Sequence, residues 1–253
     1  YQGELVPKGV HLLPKGASSP LIFRDGVLLF SNVGVTFSKM KVQSRNSFLT
    51  LDGTIKEGNL NLSSRGTIDL RQLHALLQTS LFPNQIRTEM AGIQNLNGEA
   101  DIRVKWLGKA DEWLSSLKEA EIKLKEVSFQ YQKIPVPLSH IEGSLFISPE
   151  KFQLKEAKGN LGDSPLMVSG TFSRSPSLRG SSAESSASAS FQIFSPQLNL
   201  DPLFLKREEI TRLTSFEKIR DWLLNWNFDG TVEVDQGSYL GLLFQDLKVG
   251  MKT

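Results

Sequence analysis

Three histidines, His11, His74 and His140, are the side chains whose charge changes most readily near neutral pH. They lie far apart, with no ligand spacing around any of them, which marks them as surface or capping residues. The chain has no cysteine, so it contains no disulfide, no thiolate metal site and no cysteine nucleophile. The stretch "SSAESSASAS" is dense in serine, but no partner base accompanies it. Asp52, Asp69 and Asp163 stand beside turns and a helix start, where local hydrogen bonding accounts for a carboxylate. Metal loops of alternating carboxylates, phosphate-cradling glycine runs and nucleophile elbows are missing from the sequence. Trp106, Trp113, Trp222 and Trp226 read first as core anchors and second as a carbohydrate platform. The residue types therefore predict a protein that is not an enzyme and uses no metal and no cofactor.

Charge narrows the partners. With 29 basic and 27 acidic side chains the net charge is +2, too balanced for a nucleic-acid partner, which needs clustered Lys and Arg. Hydrophobic residues at 39% and charged residues at 22% suit an ordinary packed protein. No stretch resembles a secretory leader, and no apolar run is long enough to span a bilayer. The pattern begins abruptly at Tyr1 and stops midway at Thr253, so residues 1–253 are expected to be one continuous segment of a longer protein.

The sequence repeats itself. "SFLTLDGTI", from Ser47, returns as "SPLMVSGTF", from Ser164, an offset of 117. At that offset Glu4 matches Glu121, Val10 matches Val127, and Pro20-Leu21 matches Pro137-Leu138. Gly26, Leu28, Ser31, Lys41 and Leu49 find Gly143, Leu145, Ser148, Lys158 and Leu166. Beyond Gly170 the offset becomes 130, which sets Asp69-Leu70 opposite Asn199-Leu200. The extra residues fall in a Ser-rich segment, 173–190, expected to be a solvated hairpin tip. Two repeat units are expected at about 4–97 and 121–229, with a third starting at 230–253, where Gly230 echoes Gly98.

Most of the chain alternates apolar and polar residues at period two, the mark of strands with one buried face. In "EADIRVKW" Ala100, Ile102, Val104 and Trp106 face one way and Asp101, Arg103 and Lys105 the other. "EIKLKEVSFQYQ" shifts by one residue at Lys125-Glu126, as a bulge would. Glycine, asparagine, aspartate and proline punctuate roughly fifteen such segments, which implies antiparallel hairpins. Three stretches break the alternation: "DLRQLHALLQTSL", with Asp69 as cap; "DEWLSSLKE", one or two helical turns; and "REEITRLTSFEKIRDWLLNW", the strongest amphipathic helix. With so few helices to cover it, the apolar face closes into a sandwich or barrel, or else curls into an open trough.

Placed in order, these residues resemble a known plan. Pro20, Leu21, Gly26, Leu28 and Ser31, then Ser47, Leu49, Leu51, Gly53 and Ile55, then Gly66, Ile68, Asp69, Leu70 and Leu73 form its first copy. Pro137, Leu138, Gly143, Leu145 and Ser148, then Ser164, Leu166, Val168, Gly170 and Phe172, then Leu198, Asn199, Leu200 and Leu203 form its second. This unit resembles the AsmA-like family of Gram-negative bacteria, the bridge-like lipid transfer proteins of TamB and YhdP type. The resemblance implies a mainly β fold, an elongated curved antiparallel sheet or repeating β-groove with a few short helices. It implies a periplasmic body, anchored in the inner membrane by the full-length protein, that carries phospholipid or another acyl-chain lipid towards the outer membrane. Envelope proteins are the other implied partners, through an interaction scaffold for outer-membrane assembly that uses exposed sheet edges. The groove-lining candidates, taken from the clearest strands, are Leu49, Leu51, Leu60, Leu62, Ile102, Val104, Ile122, Leu124, Leu145, Ile147, Leu166 and Val168.

Overall fold

The computed structural model describes residues 2–13, 19–79, 82, 84–112, 115–174, 187–204 and 227–252. Among the described residues fourteen strands form one curved open sheet. Short strands β1 (Gln2–Leu5) and β2 (Val10–Leu12) both pair with β3 (Leu21–Ser31). From there the order follows the chain: β4 (Gly34–Ser44), β5 (Ser47–Lys56), β6 (Asn59–Asp69), β7 (Ile93–Lys109) and β8 (Leu117–Tyr131). The second half continues with β9 (Leu138–Ile147), β10 (Lys151–Leu161), β11 (Ser164–Arg174), β12 (Ala187–Asn199), β13 (Asn227–Tyr239) and β14 (Leu242–Lys252). Three short helices are described: α1 (Leu70–Leu77), α2 (Asn84–Ala91) and α3 (Asp201–Phe204).

Strand pairing recurs at the spacing of the sequence repeat. Leu5 opposes Leu28 as Ile122 opposes Leu145, and Val42 opposes Leu49 as Gly159 opposes Leu166. A bulge between Phe37 and Met40 has its counterpart between Leu154 and Ala157. The shift expected at Lys125-Glu126 is present, with pairing broken between Leu124 and Val127 and Glu126 at φ +50°. Close backbone approach fixes one glycine at each bulge. A Cβ on Gly26 would lie 2.5 Å from Met40 Cα, and one on Gly143 would lie 2.8 Å from Ala157 Cα.

Three sequence expectations change. The pairing is antiparallel except between β12 and β13, which run parallel. A parallel neighbour needs a crossover between the end of β12 at Asn199 and the start of β13 at Asn227. Residues 117–119 begin β8 rather than a helix. A single turn, Ser116 N to Glu112 O at 2.9 Å, precedes them. The Ser-rich segment is strand at both ends, where Ser173 pairs with Ser188 through hydroxyls 2.7 Å apart; residues 175–186 lie outside the described residues. The expected helix at 207–226 lies outside them too, as do Trp113, Trp222 and Trp226.

Helix α1 forms where the sequence predicts it. Asp69 has extended backbone and its Oδ1 accepts the Arg71 N–H at 2.9 Å, satisfying one of the donors left open at a helix start. Leu70 and Leu73 turn onto the sheet and join Leu96, Ala100, Ile102, Ile122, Leu124, Val127, Phe129 and Ile141 in the main apolar cluster. The equivalent positions of the second half keep the same device with an amide. Asn199 Oδ1 accepts the Asp201 N–H at 3.0 Å, and Ser164 Oγ accepts the Asn199 N–H at 2.9 Å, as Ser47 Oγ accepts that of Asp69 at 3.0 Å. The repeated Ser–Asx pair thus ends a strand and starts a helix in both halves.

Candidate functional site: an apolar face running across the strands

Directly opposed residues in a sheet share a face, so the pairing can be followed sideways from strand to strand. Starting at one edge, Val10 opposes Phe23, Phe23 opposes Val42, Val42 opposes Leu49 and Leu49 opposes Gly66. The row goes on through Ile102, Ile122, Leu145 and Leu154. It ends through Gly170, Phe191, Gly230 and Met251 on the last strand. Every position is apolar or glycine. At about 4.8 Å between neighbouring strands, twelve steps cover roughly 58 Å.

Parallel rows flank it on the same face. One runs Leu51, Ser64, Val104, Ala120, Ile147, Phe152, Phe172, Ala189, Phe228. Another crosses Ile68, Ala100, Leu124 and Gly143, and beyond the β10 bulge resumes as Ala157, Val168, Ile193, Val232, Val249. A fourth, nearer the other strand ends, passes Leu5, Leu28, Phe37, Gly53, Leu62 and Trp106.

All twelve candidates named from sequence fall on this face. Leu49, Ile102, Ile122 and Leu145 share the first row, and Leu51, Val104 and Ile147 share the second. Leu60 and Leu62 keep the parity of Ser64, and Leu166 and Val168 keep that of Gly170. Leu124 lies with Ala100 in the third. Leu60 is buried and the other eleven are half-buried. Three of them, Ile102, Ile122 and Leu124, pack into the cluster beneath α1. The sequence reading did not single out the aromatic part of the face, Phe152, Phe172, Phe191 and Phe228. Its alternation was legible in "KFQLKEA" and "SASFQIF".

The reverse face is polar along equivalent rows except at Phe146 in the first and at Phe48, which opposes Thr67 at the start of the second. One reads Thr50, Arg65, Arg103, Glu121, Phe146, Gln153, Thr171, Ser190, Asp229, Lys252. Another reads Thr67, Asp101, Lys123, Ser144, Lys155. Ion pairs lace it, including Lys125–Asp101 at 2.7 Å, Lys41–Asp25 at 2.8 Å and Arg103–Glu121 at 3.6 Å. Hydrogen bonds from Lys125 and then Thr67 hold the Asp101 carboxyl below the usual carboxylate range, and Lys41 with the Gly26 N–H does the same for Asp25. Two hollows of about 1020 and 710 Å3 open on this side and meet at Lys123, Ser144 and Lys155.

The titratable groups that are described make local contacts. His140 Nδ1 lies 2.8 Å from Glu126 Oε2 on an exposed surface, and His74 Nε2 lies 2.8 Å from the Met90 carbonyl, tying α1 to α2. Asp52 Oδ1 accepts the Lys39 N–H at 2.7 Å. Among the described residues no group of three or more His, Cys, Asp or Glu could hold a metal ion, and no helix is long and apolar enough to cross a membrane. Comparison with protein-family models, with curated proteins and with solved structures gave no match. The site is therefore defined by its own geometry, a sheet with one apolar and one polar face.

Proposed function

We propose that the chain is a non-enzymatic lipid-binding and lipid-conducting segment of an AsmA-like envelope protein. In this reading phospholipid acyl chains lie along the apolar face and head groups stay in water. The full-length protein would be anchored in the inner membrane, with this segment in the periplasm of a Gram-negative bacterium. The observation that carries the reading is the unbroken row from Val10 to Met251, apolar or glycine on every strand it crosses. Its length of roughly 58 Å exceeds the ~30 Å hydrocarbon core of a bilayer.

The energetics demand such continuity. A two-chain phospholipid has roughly 30 methylenes, and at about 0.8 kcal/mol each, exposing them all to water would cost more than ~20 kcal/mol. A carrier lowers that cost only where its own surface is apolar, so one polar row across the path would act as a barrier. No specific pocket for the head group is needed, which accounts for a chain rich in pattern and poor in motifs.

The test is lipid extraction and native mass spectrometry of the purified chain, together with photoactivatable phospholipid. Co-purified lipid and crosslinks on Ile147, Phe152 or Phe172 are expected. A chain free of lipid whose crosslinks fall on the polar rows at Thr171 or Gln153 would end the proposal. A second reading, an interaction scaffold for envelope assembly, rests on β14. Among the described residues that strand is last in the strand order, and it carries exposed Leu243, Val249 and Met251. An unpaired edge of this kind can accept a client strand. Crosslinks from β14 to a protein, with none from the apolar rows to lipid, would favour it.

A further inference from the structure

The apolar face is not uniform. Between α1 and the sheet at β3, β4, β5 and β6 lies a partly open cavity of about 180 Å3. Leu21, Val42, Leu49 and Ile68 line it from the sheet, and Leu73 and Leu76 from the helix. Val42 and Leu49 also belong to the long row, so the cavity opens out of the face proposed to carry acyl chains. The helix is held in place at its start. Ser47 Oγ accepts the Asp69 N–H, and Asn46 Nδ2 donates to Asp69 Oδ2 at 3.3 Å. The Gln72 amide, turned so that its nitrogen faces the sheet, donates to the Ser44 carbonyl at 2.7 Å and accepts from the Asn46 N–H at 3.3 Å.

One polar group in this cavity has no such role. Ser19 lines it just before β3, and its Oγ is buried with no hydrogen-bond partner. A buried hydroxyl without a partner is costly, and native proteins rarely keep one without a reason. Water is a poor answer here. A buried water needs two to four polar partners; Ser47 Oγ and the Gln72 amide are already engaged, which leaves Ser44 as the one other side chain lining the cavity that could join Ser19 in holding it. The volume is comparable to the roughly 150 Å3 of a Leu/Ile/Phe-lined cavity that stays dry and binds benzene. The chemistry that fits is an apolar body ending in one hydrogen-bond acceptor.

We propose that the cavity beneath α1 seats the carbonyl end of a single acyl chain, with Ser19 Oγ donating to the carbonyl oxygen. The rest of the chain continues onto the apolar rows at Val42 and Leu49. This site rests on the acyl-chain reading given above and adds to it a fixed entry or holding point and a preference for an oxygen-bearing chain over a hydrocarbon. Helix α1 is then a strap over the bound chain as well as a cover for the cluster around Ala100.

The test uses the full chain and three diazirine probes of equal length: a fatty acid, its methyl ester and an alkane without oxygen. Crosslinked residues are mapped by mass spectrometry. Acid or ester label is expected on Ile68, Leu73 or Leu76. That label should fall on the order of fivefold in Ser19→Ala, the loss of about one hydrogen bond, while alkane label stays unchanged. Whichever of acid and ester labels more strongly identifies the source of the carbonyl. Leu76→Phe fills the cavity and should remove label from Ile68 while label on Phe152 and Phe172 persists. Label on Phe152 and Phe172 with none beneath α1, or label beneath α1 indifferent to Ser19→Ala, overturns this site and leaves the wider reading standing. Absence of label anywhere on the apolar face overturns the wider reading itself.

Discussion

Leu145 and Ser144 are neighbours on β9 that point to opposite faces, so the same substitution at each separates the two faces of the sheet. Leu145 stands between Ile122 and Leu154 in the long apolar row, and Ser144 stands between Lys123 and Lys155 on the polar side. Leu145→Asp puts a carboxylate in the path of an acyl chain. One strand spacing of ~4.8 Å spans roughly four methylenes of an extended chain, worth ~3 kcal/mol at 0.8 each if fully covered. A face covers only about half of a chain lying on it, so ~1.5 kcal/mol is lost, close to a tenfold fall in affinity. Ser144→Asp adds the same charge between two lysines, where each cross-strand pair contributes ~0.2–1 kcal/mol in favour of folding. Lipid affinity measured by fluorescence titration with a labelled phospholipid should therefore drop about tenfold in Leu145→Asp and stay unchanged in Ser144→Asp. Circular dichroism checks that both remain folded. Equal affinities in two folded variants would refute the assignment of the apolar face as the lipid path.

Three further expectations follow from single contacts. A Cβ on Gly230 would lie 2.3 Å from the Phe191 ring, so Gly230→Ala should cost ~1–3 kcal/mol in urea unfolding, and adding Phe191→Ala should recover part of that loss. Removing the α1 cap by Asp69→Ala should cost about 1 kcal/mol, whereas Asp69→Asn should cost less, because Asn199 already performs that task; thermal melts compare the two. The depressed pKa of Asp101 means that its pairing with Lys125 favours the fold above the ordinary carboxylate range, and that this contribution disappears as pH falls through the lowered value. Lys125→Met should move the Asp101 titration, followed by carboxyl NMR, upward towards the ordinary range.

The faces of this sheet were legible in the sequence because side-chain parity is a local property. Alternation in "EADIRVKW" or "SLFI" already says which residues sit together, and the pairing places all twelve lining candidates on one side. Strand direction is not local. Nothing in the alternation of "TVEV" distinguishes a parallel from an antiparallel neighbour, so the β12–β13 pairing could be learned only from the fold. The start of β8 was hidden by a bulge. Lys105 opposes Glu119 while Trp106 opposes Leu117, so Lys118 is skipped and the alternation is lost at that point. Helix α2, "NQIRTEMA", has a weak apolar stripe and no acidic residue in its first turn, which left little for sequence reasoning to find. The Ser19 hydroxyl could not be found from sequence at all, since a serine beside a proline reads as a turn until its burial is known.

The parallel junction tests whether a row of side chains can survive a change of strand direction. Parity, not direction, decides which side a residue faces, so the row needs only that an apolar or small residue stands opposite Phe191 on β13. Gly230 does so, and Gly170 flanks Phe191 on the other side. The ring lies over Gly230 and tilts against Phe228, with centroids 5.0 Å apart and planes at 57°. A glycine alone would expose backbone there, and a side chain larger than hydrogen would expel the ring; the pair together keeps the surface hydrocarbon across the junction. Gly3 beneath Phe30 repeats the arrangement near the first edge, where a Cβ would come within 2.2 Å of the ring. At Gly230 and Gly3 a neighbouring aromatic ring therefore supplies the apolar surface, whereas Gly53 and Gly66 meet the backbone of the next strand; replacing the Phe191 ring should interrupt the path as surely as a charge would.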